Sequence, residues 1–436
     1  MIKLLKDPEV GLFMDPGLGK TSVVLGAFSM LKAKGFAKKL LIIAPLRVCY
    51  VTWPNEIKKW AEFSNLRYVI VHGADKEDAL DCDADIYIVN VEATKWLFDD
   101  DKNRWKKIGA DVLVVDESTK FKHPNTERFK TIKRKLVSFP RRWILTGTPA
   151  PNGVMDLFGQ VYLLDLGRSL GRYITHFRNN FFLPDYSGFG WVPKVGAMED
   201  IVERIKPITI RLTAEDWLQL PQLQTVDIMV SLPEKAREIY KRMENDFIAT
   251  LGDEHYIAAN AAVAGGKCRQ IANGALYTTR PNYKVIHDEK IKALEDLVEE
   301  LSGQPLLIVY EFVHDYERLN KVLPGPTITG MSGTKLVQTV NDFAEGKLPY
   351  IYGHPQSMGH GIDKLQNSCH HIAMFGITWD LELYDQVIAR VWRQGQSSDR
   401  VLLYRIMAER TMDVKVAKVL SSKDRTQRAL TTALKS

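Results

Sequence analysis

The chain is poor in cysteine, with four in 436 residues at positions 49, 82, 268 and 369 and no paired spacing among them. That excludes a disulfide framework and a zinc module, and it fits a reducing compartment. Long apolar runs are missing too: none approaches the ~20 residues that a membrane-spanning helix requires. Lys3, Lys6 and Asp7 place charges where a secretory leader would need none. There is no short-period repeat and no low-complexity tail. A large excess of one charge is missing as well: 59 basic against 53 acidic residues leave a net +6, too mild to name a nucleic-acid partner by itself. These absences predict a soluble cytoplasmic protein.

What is present is organised. A chain of this length holds roughly two or three domains. In its first half, apolar runs alternate with amphipathic stretches: "LLIIAP" (40–45), "IYIVN" (86–90), "VLVVDE" (112–117) and "WILTGTP" (143–149). Continuous apolar runs of this kind predict a parallel sheet covered on both faces. After Pro149 the pattern breaks. Residues 150–212 are rich in aromatics and glycine, which predicts a mostly helical protrusion on a first lobe spanning 1–212. Its aromatics fit a small helical core better than a base-stacking surface. A hinge is expected over 213–225, then a second lobe over 226–436 with a helical insertion at 233–273. Alternation resumes there with "PLLIVYEF" (305–312), "TITG" (327–330), "YIYGHP" (350–355), "HHIAMFG" (370–376) and "VLLYRIM" (401–407). The expected fold class is therefore α/β, with two parallel-sheet lobes, each carrying a helical elaboration.

One stretch names a ligand class. "FMDPGLGKTSVV" (13–24) places a Gly-rich turn ending in Gly-Lys-Thr between an apolar strand (10–14) and a helix (21–32). Gly17 and Gly19 let the backbone around Leu18 turn its N–H groups toward phosphates. Lys20 would reach the β/γ oxygens, and the Thr21 hydroxyl would hold Mg²⁺. The first glycine of the eight-residue pattern falls at Met14, so the generic motif is met in part. An ordinary Gly-rich turn before a helix is the bland alternative.

Further along, Asp116 and Glu117 end an apolar run, 95 residues after Thr21 in the case of Asp116. In open α/β sheets ligands bind at that strand edge. An Asp there can hold Mg²⁺ while a Glu activates the attacking water. Thr146 and Thr148 lie on the turn after the next run. In the second lobe, "YDQVIARVWRQGQ" (384–396) would put Gln386, Arg390 and Arg393 on one helical face at i, i+4 and i+7. Such a face is either a surface charge stripe or a source of arginine fingers for phosphoryl transfer. Between Lys120 and Arg142 stand nine Lys/Arg (120, 122, 128, 130, 133, 134, 135, 141 and 142) against one acid, Glu127. That run is either a solvated helix face or a phosphate-backbone patch.

Taken in order, "DPGLGKT", "IIAPLRVCYVTWPNEIKKW", "DEST", "LTGTPAPNGVMDLF", "CRQIANG", "SMGHGID" and "DQVIARVWRQGQ" resemble the superfamily two helicase-like ATPases, most closely the Swi/Snf remodeller branch. The resemblance runs from about Gly11 to residue 420. It implies two RecA-like lobes that hydrolyse ATP and move along double-stranded DNA. Residue by residue, it implies phosphate contacts from Gly17, Leu18, Gly19, Lys20 and Thr21, with Gln386 also at the nucleotide. It gives Mg²⁺ to Thr21 and Asp116 and water activation to Glu117, and it has Arg390 and Arg393 complete the site. Pro45, Thr146, Gly147, Ser357 and Gly359 match motifs that line the DNA track or couple it to ATP.

The chain departs from that pattern in places. The acidic box reads Asp-Glu-Ser-Thr rather than Asp-Glu-Ala-His, Asp363 replaces an Asn, and "TWDLELYDQ" replaces a Trp-Asn-Pro stretch. Thirteen residues precede Met14, where the family has an adenine-reading segment with a Gln. The expectation is a nearly bare, monomeric motor of bacterial or phage type, without a chromatin reader. Two other readings stay open: a strand-separating DNA or RNA helicase on the same motor, and a nucleic-acid-binding scaffold with a decayed nucleotide site.

Overall fold

In the computed structural model the described residues are all but 186–189, 247, 252–253, 258–259, 279–280, 359–361 and 436. The chain divides into two compact units. Met1–Leu218 with Lys423–Ser436 form the first, and Gln219–Ser422 the second.

The first unit is built on a seven-stranded sheet. Its strands are β1 (Glu9–Met14), β2 (Leu40–Ala44), β3 (Tyr68–Val71), β4 (Ile86–Asn90), β5 (Val112–Asp116), β6 (Arg141–Thr146) and, beyond a hairpin of β7 (Phe182–Pro184) and β8 (Trp191–Pro193), β9 (Thr209–Leu212). The sheet order is β3-β4-β2-β5-β6-β1-β9, and every pairing in it is parallel. Strands β2, β4 and β5 are buried at every residue, as two-sided burial demands of a parallel sheet. Alternate side chains feed two cores. Phe13, Leu41, Ile43, Tyr87, Val89 and Val115 face one. Leu12, Ile42, Ile88, Val114, Trp143 and Leu145 face the other.

Residues 150–212, expected as a protrusion, carry helices at Leu157–Asp165, Ile174–Phe181 and Ala197–Ile205, and the first of these is wholly buried and packs against β1 and β6. Phe177, Phe181 and Phe182 are buried, with Phe177 packed ring to ring against Phe158, Phe181 and Phe182. All four join the sheet core that holds Phe13 and Leu41 instead of forming the separate small core expected from sequence. Tyr173 and Trp191 are instead exposed. Residues 209–212, expected in the protrusion, belong to the main sheet as β9. Their alternating polar and apolar residues suit an edge strand, which needs only one buried face.

In the second unit, β10 (Gln222–Val230) is followed by the hairpins β11 (Ile248–Leu251) with β12 (Glu254–Ile257) and β13 (Ala275–Tyr277) with β14 (Tyr283–Val285), then β15 (Leu306–Val309), β16 (Tyr350–Gly353), β17 (His371–Met374) and β18 (Arg400–Ala408). The main sheet has the order β10-β18-β17-β15-β16 and is parallel throughout. Strand β10 takes up residues 222–225, which the sequence had assigned to a hinge. The 233–273 segment contains two helices, Glu234–Asn245 and Ala261–Asn273, with the β11–β12 pair between them. The last helix, Met412–Lys435, begins in the second unit, and its final turns count with the first. Among the described residues, no helix is long and apolar enough to cross a membrane.

Candidate nucleotide site

The C-terminal ends of β1, β2, β5 and β6 bring Asp15, Pro45, Asp116 and Thr146 to one edge of the first sheet. After β1 the chain turns through Gly17 (φ +85°) and Gly19 (φ +74°), conformations that a side chain would strain. The helix Lys20–Ala33 then starts at Gly19. Lys20 donates through Nζ to the Met14 carbonyl at 2.7 Å and the Asp15 carbonyl at 3.2 Å. Desolvation pulls the Lys20 ammonium below its ordinary pKa, against the opposing carboxylates of Glu117, Asp116 and Asp15. Burial likewise raises Asp116, with Lys20, the Trp53 indole and the Glu117 amide acting the other way. The lysine and the acidic pair therefore share one poorly solvated site.

Asp116 is held at both oxygens. Oδ1 accepts from the Glu117 N–H at 3.0 Å and Oδ2 from the Trp53 indole N–H at 3.0 Å. Glu117 is buried and adopts φ +51°, ψ +58°, a left-handed conformation rare outside glycine. Backbone strain of this kind clusters where a side chain must be aimed for function. Next in sequence, the Ser118 hydroxyl donates to Gln160 Oε1 at 2.8 Å, and Gln160 Nε2 donates to the Pro149 carbonyl at 2.6 Å. Gly159 makes this approach possible, because a Cβ there would lie 2.3 Å from the Phe121 carbonyl. The acidic pair is thus wired to the turn after β6. In that turn Thr146 is fully buried and its hydroxyl accepts the Thr148 N–H at 3.2 Å. Pro45 follows β2, and its carbonyl accepts the Cys49 N–H at 3.0 Å.

In the second unit the structure corrects the expected placement of the arginines. The helix Leu381–Ile388 carries Gln386, bonded to Glu382 at 3.4 Å, but it ends before Arg390 and Arg393. The next amides tighten to i−3 partners, Arg390 N–H to Val387 and Val391 N–H to Ile388. Val391 is buried, and the Trp392 indole N–H bonds the Pro221 carbonyl at 2.7 Å. Arg390 is buried and donates to the Ile362 carbonyl at 3.3 Å. Arg393 pairs with Asp363 at 2.7 Å. Ser357 sits in a short turn after β16, its N–H on the His354 carbonyl at 2.8 Å. Gly359 lies outside the described residues.

The basic run between 120 and 142 is not a free patch. Six of its nine cations are ion-paired: Lys122 with Asp156, Arg128 with Glu92, Lys130 with Glu127, Arg134 and Lys135 with Asp100, and Arg142 with Glu9. Sequence reasoning also missed Trp53, Gln160 and Arg211. Each acts through a contact remote in sequence. Trp53 falls within the 42–60 motif but has no role assigned there, and Gln160 and Arg211 fall in none of the motifs.

A family model for the SNF2-related domain matches residues 1–279. A protein of Acyrthosiphon pisum secondary endosymbiont phage 1, named only p41, is 35% identical over 440 residues, covering 96% of this chain and 93% of that protein. An uncharacterised ATP-dependent helicase of Mycoplasma genitalium is 24% identical over 97% of the chain but 40% of its own length. One of Bacillus subtilis is 23% identical over 93% of the chain and 73% of its own length. The chain thus spans nearly all of the phage protein and well under half of the Mycoplasma one. Among solved structures, the Sulfolobus solfataricus SWI2/SNF2 ATPase core in complex with dsDNA shows a TM-score of 0.46 at 23% identity, covering 99% of this chain and 90% of that one. The chain belongs to the SNF2-related family. It is an ATP-hydrolysing enzyme of the helicase-like class.

Proposed function

We propose that this ATPase is a translocase on double-stranded DNA, using ATP to move along the duplex without separating its strands. The observation that carries the reading is the Ser118–Gln160–Pro149 relay, which joins the acidic pair to the turn after β6. A motor needs such a link between nucleotide chemistry and the segment expected to meet DNA. A scaffold with a decayed site has no use for one.

The residue roles follow. Gly17, Leu18, Gly19 and Thr21 supply backbone N–H groups to the phosphates, and Lys20 adds its charge. Glu117, aimed by its strained backbone, orients and deprotonates the attacking water. Arg390 and Arg393 stabilise charge on the transferring phosphoryl group, with Gln386 at the nucleotide. Pro45, Thr146, Gly147, Ser357 and Gly359 couple the track to the site.

The residues fit Mg²⁺. Asp116 is a buried carboxylate at the strand edge where the 17–21 loop also ends. That donor set suits an ion held by one carboxylate, the Thr21 hydroxyl and substrate oxygens. When bound, Mg²⁺ neutralises charge on the β and γ phosphates.

The test is the ATPase rate with duplex DNA, single-stranded DNA and RNA. Stimulation by the duplex above the other two supports the reading. Stimulation by RNA or single strands alone contradicts it.

A further inference from the structure

Arg211 on β9 has its side chain 5% exposed and spends its guanidinium on four partners. Nη1 donates to the Phe13 and Gly147 carbonyls, both at 3.1 Å, and Nη2 to Asp15 Oδ1 at 2.7 Å. Nε donates to the Thr431 hydroxyl at 3.1 Å. The second Asp15 oxygen accepts the Ala214 N–H at 3.0 Å, and the Asp15 N–H bonds the Leu212 carbonyl at 3.2 Å. One planar group thereby ties the end of β1, the first residue of the phosphate loop, the turn after β6 and the last helix of the chain. A lysine has no fork with which to do this.

The helix contributes a second tie one turn earlier, where Gln427 Oε1 accepts the Ala150 N–H at 3.0 Å. Gln427 and Thr431 are both buried, and at i, i+4 they share a face. Leu430 and Leu434 sink into the same core as Phe13. These turns, more than 400 residues from the loop in sequence, are therefore built into its surroundings.

We propose that Arg211 is a positioning residue for nucleotide binding, and that Thr431 and Gln427 on the last helix set the pose of the phosphate loop and of the Thr146–Ala150 turn together. Loss of the Thr431 hydroxyl strands a buried N–H of the guanidinium and frees it to shift, which loosens Asp15. Nucleotide affinity should fall, although none of the three residues touches the nucleotide.

The inference rests on reading residues 15–21 as the nucleotide loop, and the test separates the two. Binding of a fluorescent ADP analogue to the full chain is measured well below the melting transition, alongside the KM for ATP. Thr431→Val and Gln427→Leu should each weaken binding by about five- to tenfold, the effect of one lost buried hydrogen bond. KM should rise more than kcat falls, Thr431→Ser should restore wild-type affinity, and Arg211→Lys should weaken binding further. Unchanged affinity in both Thr431→Val and Gln427→Leu, with binding lost in Lys20→Ala, overturns the inference and leaves the loop reading intact. Unchanged affinity in Lys20→Ala overturns both. A fall in melting temperature without any change in affinity or KM reduces the contacts to packing and also overturns the inference.

Discussion

The Trp53 indole N–H donates to Asp116 Oδ2 at 3.0 Å, and both residues are buried. The bond fixes the carboxylate that would hold the metal, and metal sites depend on such outer partners as much as on the ligands themselves. Trp53→Phe keeps most of the bulk and removes the donor. A hydrogen bond to a charged buried group is worth about 1.5–3 kcal/mol. The variant should need more Mg²⁺ for half-maximal ATPase, by roughly tenfold or more. An unchanged Mg²⁺ titration would show that Trp53 only fills space.

Variants of Lys20 and Glu117 should separate binding from turnover. Lys20→Ala should lose nucleotide binding and hydrolysis with little change in melting temperature, because its ammonium supports no core. Glu117→Gln should bind ATP and fail to hydrolyse it. Near-normal ATPase in either variant would remove the site from this edge of the sheet.

Arg390 and Arg393 are predicted to act on the transferring phosphoryl group, where an arginine can be worth about 10³–10⁵ in rate. Arg390→Ala or Arg393→Ala should lower kcat strongly and leave duplex affinity nearly unchanged. Because Arg390 is buried, its melting temperature is measured in parallel, and the more exposed Arg393 is the cleaner case. Unchanged kcat in both single variants would make them structural charges.

Stability should fall in acid through two histidines. Burial holds His287 down to about 4 and, helped by neighbouring His370, His371 down to about 4. In neutral His287, Nε2 donates to the Ile271 carbonyl at 2.9 Å and Nδ1 accepts the Glu289 N–H at 3.3 Å, so a second ring proton has no acceptor. Below pH 6.5 the unfolded chain binds protons that the folded one refuses. Stability is therefore full above pH 6.5 and is lost as pH falls toward 4, at about 1.4 kcal/mol per pH unit for each proton. Denaturant titrations of His287→Gln across that window should show a slope smaller by about one proton. An identical slope would contradict the assignment.

What the sequence made legible follows from where the information sits. Strands β2, β4 and β5 are nearly continuous apolar runs, β6 holds a shorter one at 143–145, and the loop and acidic pair are contiguous words, so all could be read directly. Strands β9 and β10 are edge strands with half-exposed, alternating residues, and composition gave them to a protrusion and a hinge. The arginines are recognised by spacing, yet their helix stops at Ile388, where Arg390 and Val391 turn their amides to carbonyls three residues back. Trp53, Gln160, Arg211 and Thr431 were invisible for another reason. Their roles rest on hydrogen bonds such as Trp53–Asp116, Ser118–Gln160 and Arg211–Thr431, which cross 42 to 220 residues of chain and which no local pattern encodes.

The central claim is movement along duplex DNA without unwinding. Strand separation must break stacking at about 1.4 kcal/mol per base-pair step, usually against a rigid pin. Phe158, Tyr162, Phe177, Phe181 and Phe182 are buried in the core on one face of the first sheet, and the exposed Trp191 stacks under the Arg178 guanidinium. The decisive measurement is displacement of a third strand from a DNA triplex during ATP hydrolysis, run beside a forked duplex. The account predicts that the third strand is released in an ATP-dependent way while the fork stays paired. Robust unwinding of the fork, lost on substituting Trp191, would contradict it and make the protein a strand-separating helicase.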